Sequence, residues 1–115
     1  MKQKPFTAAQ RKRLLANGAH TARTGEGNHV PVVKFFCPWG AATWLITDLS
    51  EDGDRMFGLC DLGHGDPELG YVSLSELASL RGPAGLTIER DLMFKGKKPI
   101  SEYAEEARAQ GWISA

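Results

Sequence analysis

The spacing of apolar residues changes along the chain, and each change marks an element. Between Phe6 and Asn17 apolar positions are few, with Leu14 and Leu15 forming a narrow stripe beside Arg11, Lys12 and Arg13. Thr7 precedes Gln10 by the spacing of a reciprocal cap, in which hydroxyl and carboxamide each accept a backbone N–H. This predicts a helix from Thr7 to Asn17, with Gly18 taking the left-handed stop. His20 to Asn28 is polar and glycine-rich with no period, so it reads as a loop and is expected to be mobile, as are residues 1–6.

Val30 to Cys37 is β-rich, with Val33, Phe35 and Cys37 on one face and Pro31 confined to the strand start or an edge. Cys37-Pro38-Trp39-Gly40 is a turn. In Ala42 to Leu49, Trp44 and Ile46 point one way and Thr43, Leu45 and Thr47 the other. Asp52-Gly53 is the tight signal of a hairpin, so Met56 to Leu62 returns antiparallel. Gly63-His64-Gly65-Asp66-Pro67 reverses the chain again, and Leu69 to Ser73 follows as a short strand.

Ser73 then caps a helix, with Glu76 at its third position and Val72 placed to meet Leu77. Leu74, Leu77, Ala78 and Leu80 form its stripe, and Gly82-Pro83 stops it. Leu86 to Arg90 alternates as a further strand, and Phe94 to Pro99 is a basic loop. From Pro99 or Ser101 to Gln110 the pattern is helical, with Tyr103, Ala104 and Ala107 inward, Gly111 as the stop, and Trp112 and Ile113 packing back. These elements make an α+β fold in one domain spanning residues 1–115. It has a single antiparallel sheet of four or five strands, with a mixed sheet as the variant, and about three flanking helices.

A chain of 115 residues that is 42% apolar and 24% charged has material for one core and is neither disordered nor fibrous. No apolar run reaches the length of a membrane span, and no signal-like segment follows the basic N-terminus. The expected compartment is the cytoplasm, without a membrane partner. Cys37 and Cys60 are too few for a disulfide framework and too distant for a Cys-x-x-Cys unit, so they read as reduced, buried side chains.

Net charge is zero but unevenly placed. Lys2, Lys4, Arg11, Lys12, Arg13 and Arg23 all precede the first acid, Glu26, whereas Asp48, Glu51, Asp52, Asp54, Asp61, Asp66, Glu68 and Glu76 are offset only by Arg55. Such polarity steers a charged partner, while zero net charge argues against a dedicated nucleic-acid binder.

Candidate chemistry gathers at Asp61, His64, Asp66 and Glu68, with Cys60 beside them. Carboxylates and an imidazole held together could bind a divalent ion or act as acid and base, which gives a metal-dependent hydrolase as one reading. The local ligand set is short, since His20 or His29 would have to arrive through folding. The plainer reading has Asp66 capping the turn and His64 exposed. There is no Gly-x-Ser-x-Gly elbow and no phosphate loop, Cys60 lies within a strand, and no cofactor or catalytic residue is assigned. Nucleic-acid binding through Arg11, Lys12 and Arg13 with Lys95, Lys97 and Lys98 requires the two groups to be adjacent in space. Trp39, in a Pro-Trp-Gly turn, is the ring expected to be exposed. Together with Asp52, Asp54, His64, Asp66 and Glu68 it forms the candidate surface for a protein partner.

Ala41-Ala42-Thr43-Trp44-Leu45, Phe57-Gly58-Leu59-Cys60-Asp61-Leu62-Gly63, Glu68-Leu69-Gly70-Tyr71-Val72-Ser73-Leu74 and Glu89-Arg90-Asp91 carry a resemblance. From Phe6 to Trp112 the chain resembles a family of small bacterial proteins of unknown function, often carried on plasmids and integrative elements. The resemblance implies a cytoplasmic protein in a mobile-element setting and brings no catalytic residues. With the incomplete catalytic set, it favours a non-enzymatic accessory protein acting by protein–protein interaction, in counter-defence or regulation.

Overall fold

The computed structural model describes residues 1–115. Its central strand, β2 (Thr43–Leu49), is buried at every residue from Trp44 to Leu49, because the sheet is covered on both faces. Around it the strands β1 (Val33–Phe36), β3 (Arg55–Asp61), β4 (Glu68–Ser73) and β5 (Glu89–Arg90) form one antiparallel sheet in the order β4-β3-β2-β1-β5. With three helices, α1 (Ala8–Thr24), α2 (Leu74–Ser79) and α3 (Ile100–Gln110), the architecture is the α+β fold read from the pattern. No helix is long and apolar enough to cross a membrane.

Alternation divides the core. Val33 and Phe35 of β1 lie opposite Ile46 and Trp44, and these side chains join Phe6, Leu14, Leu49, Met56, Leu77 and Ile88 on one face. On the other face Leu45 and Leu59 meet Ile100, Tyr103, Ala104 and Ala107 of α3, together with Ile113. Trp112, in contrast, is left 55% exposed, so only Ile113 of that expected pair packs back.

The reciprocal cap of Thr7 and Gln10 is present, but the helix it starts does not stop at Gly18. It runs to Thr24, and Gly25 takes the left-handed conformation instead, so His20 to Thr24, expected as loop, is helical. Gly18 has another reason to be glycine: a Cβ there would overlap the backbone carbonyl of Leu49. Its small profile lets α1 lie close against β2 beyond the end of β1, where the Asn17 carboxamide donates to the Thr47 carbonyl at 2.9 Å. Residues 1–6 are also tied down, since the terminal ammonium donates to Ala78 O, the Gln3 side chain accepts from Arg90 N, and Phe6 is buried.

Several strand bounds contract. Ladder pairing starts at Val33 rather than Val30, and β5 keeps only Glu89 and Arg90 of the alternating run, while Thr87 and Ile88 are buried just outside it. The Ser73 hydroxyl accepts from Glu76 N as expected. Of the stripe that follows, Leu77 is buried and Leu80 is exposed, because the chain turns away after Ser79.

Candidate functional site

The turn that gathers the sequence candidates does not assemble them. Asp61 is buried, and its two oxygens accept separately from the backbone N–H of Gly63 at 2.8 Å and of Ile113 at 3.0 Å. It is this carboxylate, and not Asp66, that caps the turn, and it pins the C-terminal segment to β3. His64, Asp66 and Glu68 are exposed. No group of three or more His, Cys, Asp or Glu side chains is placed to hold a metal ion, so the geometry gives the hydrolase reading no support. Cys60 and Cys37 are half-buried rather than core, and burial pushes the Cys60 thiol up to about 11, the opposite of an activated nucleophile.

The acidic hairpin is similarly committed to architecture. Asp52 Oδ1 accepts from Asp54 N at 2.8 Å and Arg55 N at 3.1 Å, and these two bonds, Asp54 N first, hold its carboxyl below the ordinary range. Asp54 reaches across to α2: one oxygen accepts from the Ser73 hydroxyl at 2.7 Å and the other from Ser75 N at 2.7 Å, which lowers its pKa, the Ser73 bond contributing most. Trp39 is half-buried rather than exposed; it packs against the apolar core, and its ring fills the space a Cβ on Gly82 would need.

The two basic groups come together in part. Arg11 lies near Gly53 of the hairpin, whereas Arg13 and Lys95 line one groove of about 1030 Å³ with His29, Val30, Leu92 and Phe94. Lys98 is paired with Glu106 and lies 4.8 Å from the Tyr103 ring centroid; the Glu106 bond is the main cause of its raised pKa. Lys95 and Lys97 are exposed and hold no ion pair, since the chain has only Lys34–Asp91 and Lys98–Glu106. The segment from Asp91 to Pro99 is therefore a ridge, with Leu92 and Met93 at its crest, 68% and 87% exposed. Phe94 and Lys95 face both the groove and a second cavity of about 620 Å³, on the side of α3.

A second arrangement centres on Asp48. Pairing passes from Ile46↔Gly58 to Asp48↔Phe57, so Thr47 is an extra residue in β2. Without it, alternation would turn Asp48 toward Met56 in the apolar core; the bulge turns the carboxylate to the other face and returns Leu49 to the core. Asp48 is 7% exposed and has no cationic partner. Its Oδ1 accepts from the Thr47 hydroxyl, and its Oδ2 from the Thr21 hydroxyl at 2.8 Å.

The Thr21 oxygen also lies 3.0 Å from His29 Nε2. Because the hydroxyl proton goes to Asp48, the imidazole Nε2–H is the donor in this contact. His20 meets the same ring edge-on, with centroids 5.4 Å apart. Gly27 makes the approach possible, since a Cβ there would overlap Thr21 Oγ1. Beside this relay opens a cleft of about 330 Å³, lined by Gly18, Thr21, Asp48, Arg55, Phe57 and Tyr71 among others.

The sequence profile that matches this chain spans residues 6–114, from the buried Phe6 through α1, the whole sheet and α3 to the segment held by Asp61. The chain belongs to the family described as Protein of unknown function (DUF2958). Comparison with curated proteins and with solved structures returned no match. The ridge and the Asp48 cleft both lie within the DUF2958 span.

Sequence reasoning missed Thr21, His29 and Asp48 as a group. A helix stopped at Gly18 leaves Thr21 in a loop, and nothing in a period-two reading shows that a bulge turns Asp48 away from the core. One usable signal was present: an acidic residue between Thr47 and Leu49 in a strand otherwise buried on both faces needs partners, and hydroxyls and imidazoles are the uncharged groups that supply them.

Proposed function

We propose that this DUF2958 protein is a non-enzymatic interaction module that captures an acidic protein segment on the ridge Asp91–Pro99. One observation carries the reading: Leu92 and Met93 stand consecutively in solvent at the crest of a loop whose Lys95 and Lys97 have no acidic partner in the chain. Exposed apolar side chains rimmed by polar ones mark contact surfaces, and cations free of internal pairing favour an acidic partner. The groove holding Arg13 and Lys95 extends that charge toward α1. An apolar crest suits a protein better than a nucleic acid, whose readers place stacking aromatics or phosphate-binding groups at the centre.

Asp52, Asp54 and Trp39 give way to the ridge in this account, because their side chains are engaged within the fold. His64, Asp66 and Glu68 are exposed and form a separate acidic rim. A cytoplasmic accessory role in a mobile genetic element, in counter-defence or regulation, belongs to the same proposal. Its support is the resemblance and the small, fully structured scaffold.

The test is affinity capture from the native host with the wild-type chain, Met93→Glu and Lys95→Glu, each checked for an unchanged melting temperature. Loss of the same captured protein in both variants, with capture weakening as salt rises, supports the ridge. Undiminished capture by both variants, or capture abolished by nuclease, overturns it.

A further inference from the structure

We infer that the cleft beside Asp48 binds a small zwitterion of the α-amino acid type, its ammonium group on Asp48 and its carboxylate on Arg55. The inference is independent of the ridge, with which the cleft shares no lining residue.

Its two charged walls are opposite in sign and do not satisfy each other. Asp48 and Arg55 line the same cleft, yet neither takes part in either ion pair of the chain. The register explains why. Asp48 lies opposite Phe57, and Arg55 is two residues earlier in β3, so the two are diagonal neighbours across the hairpin. Such positions are on the order of 7–8 Å apart, within reach of a long side chain, so it is the separate engagement of each group and not the spacing that keeps them unpaired. The aspartate is held by the hydroxyls of Thr21 and Thr47, one on each oxygen. A carboxylate accepts about four hydrogen bonds, so acceptor sites are left for a donor in the cleft. The arginine is drawn over Tyr71, with its guanidinium carbon 3.8 Å from the ring centroid.

The remaining walls fit the same class of ligand. Phe57 and Tyr71 form an edge-to-face pair with centroids 5.1 Å apart, an apolar surface for a side chain. Gly18, Gly25 and Gly27 also line the cleft and project no side chain into it. At about 330 Å³ the cleft is at the small end of ligand sites, which suits a single amino acid. Charge selects among ligands: a simple amine leaves Arg55 unmatched, a simple carboxylate leaves Asp48 unmatched, and a zwitterion satisfies both.

The experiment titrates the full chain with L-phenylalanine and follows backbone amides by NMR. The expected result is saturable movement of the Gly18, Gly25 and Gly27 signals, with phenethylamine and 3-phenylpropionate each binding more weakly. Arg55→Gln, at an exposed position without an ion pair, should fold normally and bind L-phenylalanine about tenfold more weakly. No movement of the wild-type glycine signals at millimolar ligand overturns the inference. So does binding of either singly charged analogue as tight as that of L-phenylalanine, or undiminished affinity in Arg55→Gln.

Discussion

The Thr21 hydroxyl stands 2.8 Å from Asp48 Oδ2, a bond that joins the last turn of α1 to β2 just past its bulge. It explains how a carboxylate without a cation is tolerated where only 7% of its residue surface meets solvent. Thr21→Val removes the donor to Asp48 and the acceptor for His29 while keeping the shape. We expect a loss of about 1–3 kcal/mol in urea unfolding, and recovery of most of it in Thr21→Ser. Equal stability of the valine and serine variants would show that the relay contributes nothing to the fold.

Gly18 sets two principles against each other. Alanine is better than glycine in a helix interior by about 1 kcal/mol, so propensity alone makes Gly18→Ala stabilising. The added Cβ would overlap the Leu49 carbonyl, which belongs to the central strand and cannot swing aside as a side chain can. Forcing atoms into a packed interface costs about 1–3 kcal/mol, which exceeds the gain. Net destabilisation in thermal unfolding is the expected outcome, and a raised melting temperature would show that α1 is free to shift outward.

How much of this was legible in the sequence follows from which forces act locally. The Thr7 cap, the Asp52-Gly53 hairpin, the Gly63 to Pro67 reversal and the Gly111 stop depend on neighbours within a few residues, and all could be read. Gly18 was misread because a glycine required by a strand far away in sequence looks the same as one that ends a helix. Trp39 was misread similarly, since its seat against Gly82 is a tertiary contact. The turn residues do not assemble for a related reason. Short-range clustering of Asp61, His64, Asp66 and Glu68 suggested chemistry, but Asp61 turns inward to the backbone while the others turn out. The Asp48 group is spread over α1, the following loop and β2, so only folding brings it together.

Asp54 supplies a pH dependence with a definite sign. Hydrogen bonds from the Ser73 hydroxyl and Ser75 N lower its folded pKa, so its contribution is present above the unfolded aspartate value of about 3.9 and is lost as pH falls through the lower folded value. Asp52, lowered by Asp54 N and Arg55 N, acts in the same direction and window. Asp54→Asn is therefore expected to lower the urea midpoint at neutral pH, with the gap from wild type closing as pH falls below about 4. A gap independent of pH would assign the effect to shape rather than charge. Ser73→Ala removes the hydroxyl partner of Asp54 and the cap of α2 together, and loss of the cap costs about 0.5–2 kcal/mol.

Asp61 closes the fold at its other end. Its Oδ2 takes the Ile113 N–H, and Ile113 in turn is buried against Leu45, Leu59 and α3, so one carboxylate and one side chain hold the C-terminal segment together. Removing residues 112–115 leaves Asp61 with the Gly63 N–H alone and uncovers that part of the core. Losing a hydrogen bond to a charged group costs about 1.5–3 kcal/mol, and exposing a buried isoleucine about as much again. The truncated chain should therefore unfold at markedly lower urea concentration. Ile113→Ala, which keeps the backbone N–H, should lose only the packing part. If truncation and Ile113→Ala proved equal, the backbone bond to Asp61 would carry no weight in stability, and packing of Ile113 alone would hold the segment.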